Sequence, residues 1–436
     1  MKIQTIGHAC MVLRDDDGSP ILITDPWLVG SAYWRSWWLQ NYPKEAELEE
    51  LTKTQYVYLT HEHGDHFHPA SIRRLGTGPT YVAPALPQEQ MAKYLSRIGH
   101  KTMVLEPLQW HQLHPKVSVL SIPLPNDDSV LLLDTPTAFI VNLNDSKPMK
   151  YQLRRVRKYI DAHVGTKKVI LLSSYSPASP VNSFRKDSKI VSMKDKRDYV
   201  ARCCELSEVL RADFFMPFAS QIILYRQDSK WANPYRVSTD DLRENWTAKA
   251  TTLCMPYSTI DLEQFTNWHV AENEYYRDEE MILQKVSAQE ALEKQVVFTA
   301  EDRENLRQKL RFSRLIMPML FRKGIGFHVD GQEFTFKPWG GKMVEGIQNP
   351  SFSLMMPGQA LIDCHKTGHF ADLGITMFTL IILNGKTNPK MVYLFFLLIG
   401  LHDYHHWWSW GNLWKWFRTS LRLNKWKIPE LRGAGV

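Results

Sequence analysis

Three histidines and an aspartate fall within six residues, His61-Glu62-His63-Gly64-Asp65-His66, directly after the apolar stretch Tyr58-Leu59-Thr60. Imidazole and carboxylate are the ligands that suit zinc, iron or manganese at neutral pH, and the end of a buried strand fixes the directions in which they point. His61 and His63 can share one ion, while Asp65 and His66 point towards a second. A polar surface turn is the competing reading, but H-x-H-x-D-H immediately after an apolar strand is too specific a pattern for it. Upstream, Ile21-Leu22-Ile23-Thr24-Asp25-Pro26-Trp27 ends a strand on Asp25, placed to hold a metal-binding histidine by hydrogen bond. Downstream, Val141-Asn142-Leu143-Asn144-Asp145 sets Asp145 at another strand end, suitable for bridging two ions.

The elements that position these residues follow an α/β order. Ile3–Ile6, Ile21–Ile23 and Tyr56–Leu59 read as buried strands, and Gly7-His8-Ala9-Cys10 as the start of another. Helical patterns then alternate with strands at Gln88–Ile98, Val117–Ile122, Val130–Leu133, Tyr151–Ala162, Val169–Leu172 and Lys194–Leu210. Residues 271–323 are rich in Glu, Lys, Arg and Gln, with pairs such as Glu290 and Lys294 at helical spacing, and read as one or two exposed helices. A strand-like stretch, Phe327–Lys337, opens a last region that closes in apolar helices and an aromatic, basic tail. The expected divisions are a metal-binding domain over 1–260, a charged helical segment over 261–325 and an α+β region over 326–436.

At 436 residues, 44% hydrophobic and 23% charged, the chain has the composition of an ordinary globular protein. A net charge of +7 favours anionic substrates and falls short of the basic footprint of a nucleic-acid binder, so no nucleic-acid partner is expected. The five cysteines form no CxxC pair and no disulfide-like framework. The N-terminus lacks a signal-peptide pattern, and the longest apolar runs, Ile375–Leu383 and Met391–Leu401, are too short to span a bilayer. A cytoplasmic location is the expectation. The tail from His402 to Arg432, with Trp407, Trp408, Trp410, Trp414, Trp416 and Trp426 among basic residues, suits a peripheral membrane contact, self-association or packing on the preceding region. The run His402-Asp403-Tyr404-His405-His406 has no metal-ligand spacing.

The histidine motif with Asp25 and Asp145 resembles the metallo-β-lactamase superfamily. Gly7-His8-Ala9-Cys10-Met11, Asp25-Pro26-Trp27-Leu28, Tyr33-Trp34-Arg35-Ser36-Trp37-Trp38-Leu39, Ser174-Tyr175-Ser176-Pro177-Ala178-Ser179 and Met216-Pro217-Phe218-Ala219-Ser220 resemble the CMP-N-acetylneuraminate hydroxylase family, and Gly368-His369-Phe370-Ala371-Asp372-Leu373 is a weaker echo. The resemblance implies an αβ/βα sandwich, which that family joins to a Rieske iron–sulfur domain to hydroxylate a sugar nucleotide. This chain lacks the paired Cys and His motifs of a Rieske centre, so oxygen chemistry would draw electrons from a separate ferredoxin or Rieske-type donor. The usual third-ligand histidine is missing from Ile122-Pro123-Leu124-Pro125-Asn126-Asp127-Asp128, and Gln221-Ile222-Ile223-Leu224-Tyr225-Arg226 has none where a last one would stand.

His61, His63 and Asp145 then form a two-His-one-carboxylate set, the arrangement of non-haem Fe(II) oxygenases. Asp65, His66 and Asp127 or Asp128 remain for a second ion, with His8, His68, His111 and His114 as substitutes that individually read as structural. Asp65, His66 and Asp145 double as catalytic groups. Trp34 and Tyr175 are candidate substrate contacts, and Arg226 a candidate anchor for an anionic small molecule, with Arg35 a weaker one. Trp27, Tyr33, Trp34, Trp37 and Trp38 either wall a pocket or pack the core. The expected activity is an iron-dependent, oxygen-activating hydroxylase or oxidase using one or two divalent ions, with zinc or manganese in place of iron as the alternative. A zinc hydrolase of an ester, lactone or phosphodiester and a non-catalytic scaffold are the competing readings.

Overall fold

The computed structural model describes residues 1–86, 90–124, 128–177, 184–191, 194–269, 275–311 and 317–405, with 411, 413, 414, 416–418 and 421 of the tail. Asp127 and most of the tryptophan-rich tail, including Trp407, Trp408, Trp410 and Trp426, lie outside the described residues. Among these residues no helix is long and apolar enough to cross a membrane.

Fifteen strands drawn from within residues 1–269 form two sheets packed face to face. The first has eight strands, ordered Asn267–His269, Ser258–Asp261, Lys2–Ile6, Cys10–Arg14, Pro20–Thr24, Tyr56–Tyr58, Thr80–Pro84 and Lys101–Leu105. The second has seven, ordered Trp110–His114, Val117–Pro123, Ser129–Asp134, Ala138–Asn142, Lys168–Ser174, Phe214–Phe218 and Thr252–Leu253. Alternation along each strand splits the apolar residues between two cores. Leu131 and Leu133 face the first sheet with Met11, Leu13 and Tyr58. Val130 and Leu132 face the helices Lys150–His163 and Lys196–Leu210. The helices Glu45–Leu51, Pro69–Leu75 and Gln90–Arg97 cover the outer face of the first sheet. A strand buried on both faces must be apolar throughout, which is why Val130-Leu131-Leu132-Leu133 reads as an uninterrupted run. The result is an αβ/βα sandwich.

The expected boundary at 260 falls inside a strand, because Ser258–Asp261 pairs with Lys2–Gln4 on one side and with Asn267–His269 on the other. The charged segment forms two helices, Glu279–Glu293 and Ala300–Leu310, with Asp278 and Thr299 accepting from the first free backbone N–H groups. The last region is a seven-stranded sheet ordered Lys189–Val191, Phe184–Lys186, Leu380–Leu383, Phe352–Met356, Ile325–Val329, Gln332–Lys337 and Lys342–Glu345. Its first two strands come from the sandwich half of the sequence, so the two halves share a sheet. Phe327–Lys337 is two strands rather than one: Asp330 and Gly331 both take positive φ, 49° and 80°, and turn the chain into a hairpin. The apolar run Ile375–Leu383 is likewise a loop followed by a strand, not a helix.

Candidate metal centre

The sequence places Asp25 and His61 just past neighbouring parallel strands, since Thr24 pairs with Tyr58. The Asp25 carboxylate accepts from the Thr60 amide at 2.8 Å, from the Thr60 hydroxyl at 2.7 Å and from His66 Nδ1 at 2.9 Å. Thr60 spends its one hydroxyl proton on Asp25, so the 3.0 Å contact between Thr60 Oγ1 and His61 Nδ1 requires the imidazole to donate. That fixes the tautomer of His61 and leaves Nε2 as a bare lone pair. His66 is fixed the same way, with Nδ1–H on Asp25 and Nε2 turned inward. One carboxylate thus aims two imidazoles.

Two groups of three ligand atoms result, each with its atoms within 4.8 Å of one another: His61, His63 and Asp145, and His8, Asp65 and His66. In the first, His61 Nε2 faces His63 Nδ1 at 2.8 Å. In the second, Asp65 Oδ2 lies 3.2 Å from His8 Nε2 and 3.6 Å from His66 Nε2. Asp145 Oδ1 stands between the groups, 3.8 Å from His61 Nε2 and 3.7 Å from His66 Nε2. Both Asp145 Oδ1 and His66 Nε2 are buried without a hydrogen-bond partner. Buried polar atoms left in that condition are costly unless something else satisfies them. A divalent cation held by nitrogen and oxygen ligands does so for both atoms at once, and the ligand set fits one or two such ions.

The electrostatics favour a positive charge at this point. Burial lowers the pKa of His61, and His66 adds to the effect; burial also lowers His63. Burial lowers His66 too, but Asp65, Asp145 and Asp25 outweigh it and bring the group up to about 10. Burial raises Asp65 and Asp145, yet His66 and His8 hold Asp65 well below the carboxylate range, and His61 and His66 bring Asp145 to about 2.

Of the four substitute histidines, the fold brings His8 into one of these groups. It sits in the turn between the first two strands rather than at a strand start, and only glycine fits before it: Gly7 has φ of 59°, and a Cβ there would meet the Trp27 carbonyl at 2.7 Å. The other substitutes stay outside. His68 caps the helix Pro69–Leu75, accepting from the Ser71 amide at 3.3 Å, while His111 and His114 lie on the far strand Trp110–His114. Asp128 joins neither ligand group. Its Oδ1 accepts from the Ser129 amide at 2.7 Å and Asn144 Nδ2 at 3.2 Å, and lies 3.6 Å from His61 Nδ1, so it supports His61 from behind.

Arg226 requires a correction. It is 1% exposed, and all five of its N–H groups are taken by Asp228, by Glu293 and by the Trp34 carbonyl, at 2.7–3.1 Å. No donor is left for a substrate. Trp34 is also committed, its Nε1 bonding Asp363 at 2.9 Å, and Tyr175 is 3% exposed in the helix-facing core of the second sheet. Arg35 donates to the Lys285 carbonyl. Trp27, Trp37 and Trp38 are fully buried, so they pack the core rather than wall a pocket.

Burial pushes the Cys203 thiol up to about 12 and raises Cys364 well above its usual range. Neither forms the reactive thiolate at neutral pH. Joint replacement of Cys203, Cys204 and Cys364 by alanine is therefore expected to leave turnover within about threefold, with any loss appearing as lower thermal stability. A folded, metal-loaded variant without turnover would reveal thiol chemistry.

No model of a known protein family matches the chain. In sequence it is similar to the cytidine monophosphate-N-acetylneuraminic acid hydroxylase of Cricetulus griseus, 37% identical over 75 residues, which is 17% of this chain and 13% of that protein. A protein named as a Rieske 2Fe-2S iron-sulfur protein in Mycolicibacterium smegmatis is 28% identical over 162 residues, 34% of this chain and 30% of that protein. The chain thus spans less than a third of these relatives, and the aligned stretches are shorter than the spread of shared motifs from Gly7 to Leu373. In structure it is similar to the isothiocyanate hydrolase from Delia radicum gut bacteria, with 13% identity and a TM-score of 0.40 over 60% of this chain and 99% of that one. At that score the likeness adds no argument, and the fold rests on the sheet order and the placement of the motif. Two facing sheets with helices on both outer faces, and H-x-H-x-D-H at the strand ends, make this a chain of metallo-β-lactamase fold, similar in part of its sequence to the CMP-N-acetylneuraminate hydroxylases.

Proposed function

We propose that the chain is a metal-dependent hydrolase with two adjacent ion sites, acting on an ester, lactone or phosphodiester of a small anionic molecule. The observation that carries this reading is the position of Asp145 Oδ1, buried without a hydrogen bond and 3.7–3.8 Å from one histidine of each ligand group. His61, His63 and Asp145 would hold one ion and His8, Asp65 and His66 the other, with Asp145 shared. When bound there, such ions would lower the pKa of a water towards neutrality and would offer positive charge to a departing oxygen. The residues of the chain do the rest. Asp25, directly and through Thr60, orients both imidazoles with Nε2 turned inward, and the buried aromatic block packs behind them.

Access is from the side of His63 and Asp145, whose side chain is 29% exposed, while the other four ligands are buried. Lys147 is exposed two residues after Asp145, on the same loop as that ligand. With Arg226 committed elsewhere, Lys147 is the cation we assign to an anionic substrate. Hydrolysis needs only water as co-reactant. An iron-dependent hydroxylase is the second reading, favoured by the sequence similarity to sialic-acid hydroxylases, and it requires an external electron donor.

The test uses the whole chain loaded separately with zinc, manganese or Fe(II). Hydrolysis of at least one anionic ester, lactone or phosphodiester under nitrogen, with Lys147→Met raising KM about tenfold or more and leaving kcat in place, is the expected result. Substrate-dependent oxygen uptake by the iron form, with no hydrolysis by any form, would replace this reading with the second.

A further inference from the structure

Three consecutive residues without a glycine among them, Tyr33, Trp34 and Arg35, hold φ values of 50°, 53° and 58°. L-residues avoid this left-handed region, and a run of three persists only where the surroundings over-determine it. The surroundings do so from every side. The Ser36 amide closes the turn on the Tyr33 carbonyl at 2.9 Å, Arg226 grips the Trp34 carbonyl at 3.1 Å, and Trp38 Nε1 grips that of Arg35 at 2.8 Å. The C-terminal region adds Asp363 on Trp34 Nε1, the Ile375 carbonyl on Trp37 Nε1 at 3.1 Å and the Thr376 carbonyl on the Ser36 hydroxyl at 2.6 Å. What the turn delivers is one group: the buried Tyr33 hydroxyl, which donates to Asp65 Oδ1.

That contact divides the carboxylate. Oδ1 is occupied by the phenol, and Oδ2 is the oxygen nearest His8 and His66. We infer that Tyr33 is a positioning residue that holds Asp65 as a single-oxygen ligand of the second ion, and that the strained turn, clamped by Arg226 and the C-terminal region, exists to place it. The inference rests on the two-ion reading above. It also gives the C-terminal region a part in the centre, through the residues that grip the turn.

Tyr33→Phe removes one hydroxyl and keeps the ring packed edge-on to Trp37 at 5.0 Å. Parent and variant are titrated with Co(II), following visible absorption, and the bound ions are counted against a competing chelator. The parent should bind two ions. The variant should keep the affinity of one and lose about 10–100-fold for the other, with an altered absorption band, because loss of a hydrogen bond to a ligand typically costs that much. A merely structural tyrosine would lower the unfolding midpoint and leave both affinities and the spectrum alone, and that outcome overturns the inference while leaving the two-ion reading intact. A parent that binds fewer than two ions overturns both.

Discussion

Alanine at His61 is expected to strip the first ion from the centre and to reduce turnover by about a thousandfold or more, a loss of roughly 4 kcal/mol of transition-state stabilisation. The size of the effect follows from the tautomer chain. Asp25 takes the Thr60 proton, Thr60 takes the His61 Nδ1 proton, and the freed Nε2 is the one ligand atom that faces both His63 and Asp145. Without it, His63 and Asp145 offer two ligands where a catalytic ion takes three from the protein. The fold should survive, since His61 lies in the turn beyond the strand and outside the inter-sheet core. Circular dichroism with elemental analysis checks both halves; a variant with full metal content would refute the ligand assignment.

The largest effect on stability is expected at a residue that the sequence pointed to for binding. Arg226→Met leaves Glu293, itself 5% exposed, as a buried carboxylate whose remaining side-chain partner among the described residues is Gln289 at 2.9 Å. Breaking a buried pair in this way costs about 3–5 kcal/mol. It also releases the Trp34 carbonyl and the stacking of the guanidinium over Phe378 at 4.5 Å. Arg226→Met with Glu293→Leu should recover part of the loss, because the buried Glu293 charge no longer stands unpaired and Asp228, whose side chain is 37% exposed, turns to water. Urea titrations of the two single variants and the double variant measure the coupling. Additive losses would mean that the pair contributes no specific interaction.

Why Arg226 misled is instructive. Its place after Pro217-Phe218-Ala219-Ser220 follows the end of the strand Phe214–Phe218, where the Ala219 amide donates to the His8 carbonyl, and the sequence carries no sign of its partner. Glu293 comes from the charged helix Glu279–Glu293, whose composition reads as solvent-facing, and the pairing spans a separation of 67 residues. The His61–His66 cluster was legible for the opposite reason: four ligand side chains lie in one turn after one strand, so no long-range packing is needed to assemble them. Asp25 was legible because a carboxylate that ends an apolar strand is aimed by that strand. His8 was not, since only the pairing of the first strands carries it to Asp65. The available signal was the glycine before it, forced by the approach of the Trp27 carbonyl. Strand alternation and helix periodicity gave the layers of the sandwich. The same apolar signal could not tell that Ile375–Leu383 ends as a strand, because a short buried run fits either element until its neighbours are known.

The two-ion centre is tested most directly by counting metal. The whole chain, stripped with chelator, re-equilibrated with zinc and passed through a desalting column, should retain about two ions per chain, falling to about one in His8→Ala with the fold unchanged. A chain that retains no zinc, manganese or iron after the same treatment, or a His8→Ala variant that keeps both ions, would contradict the account.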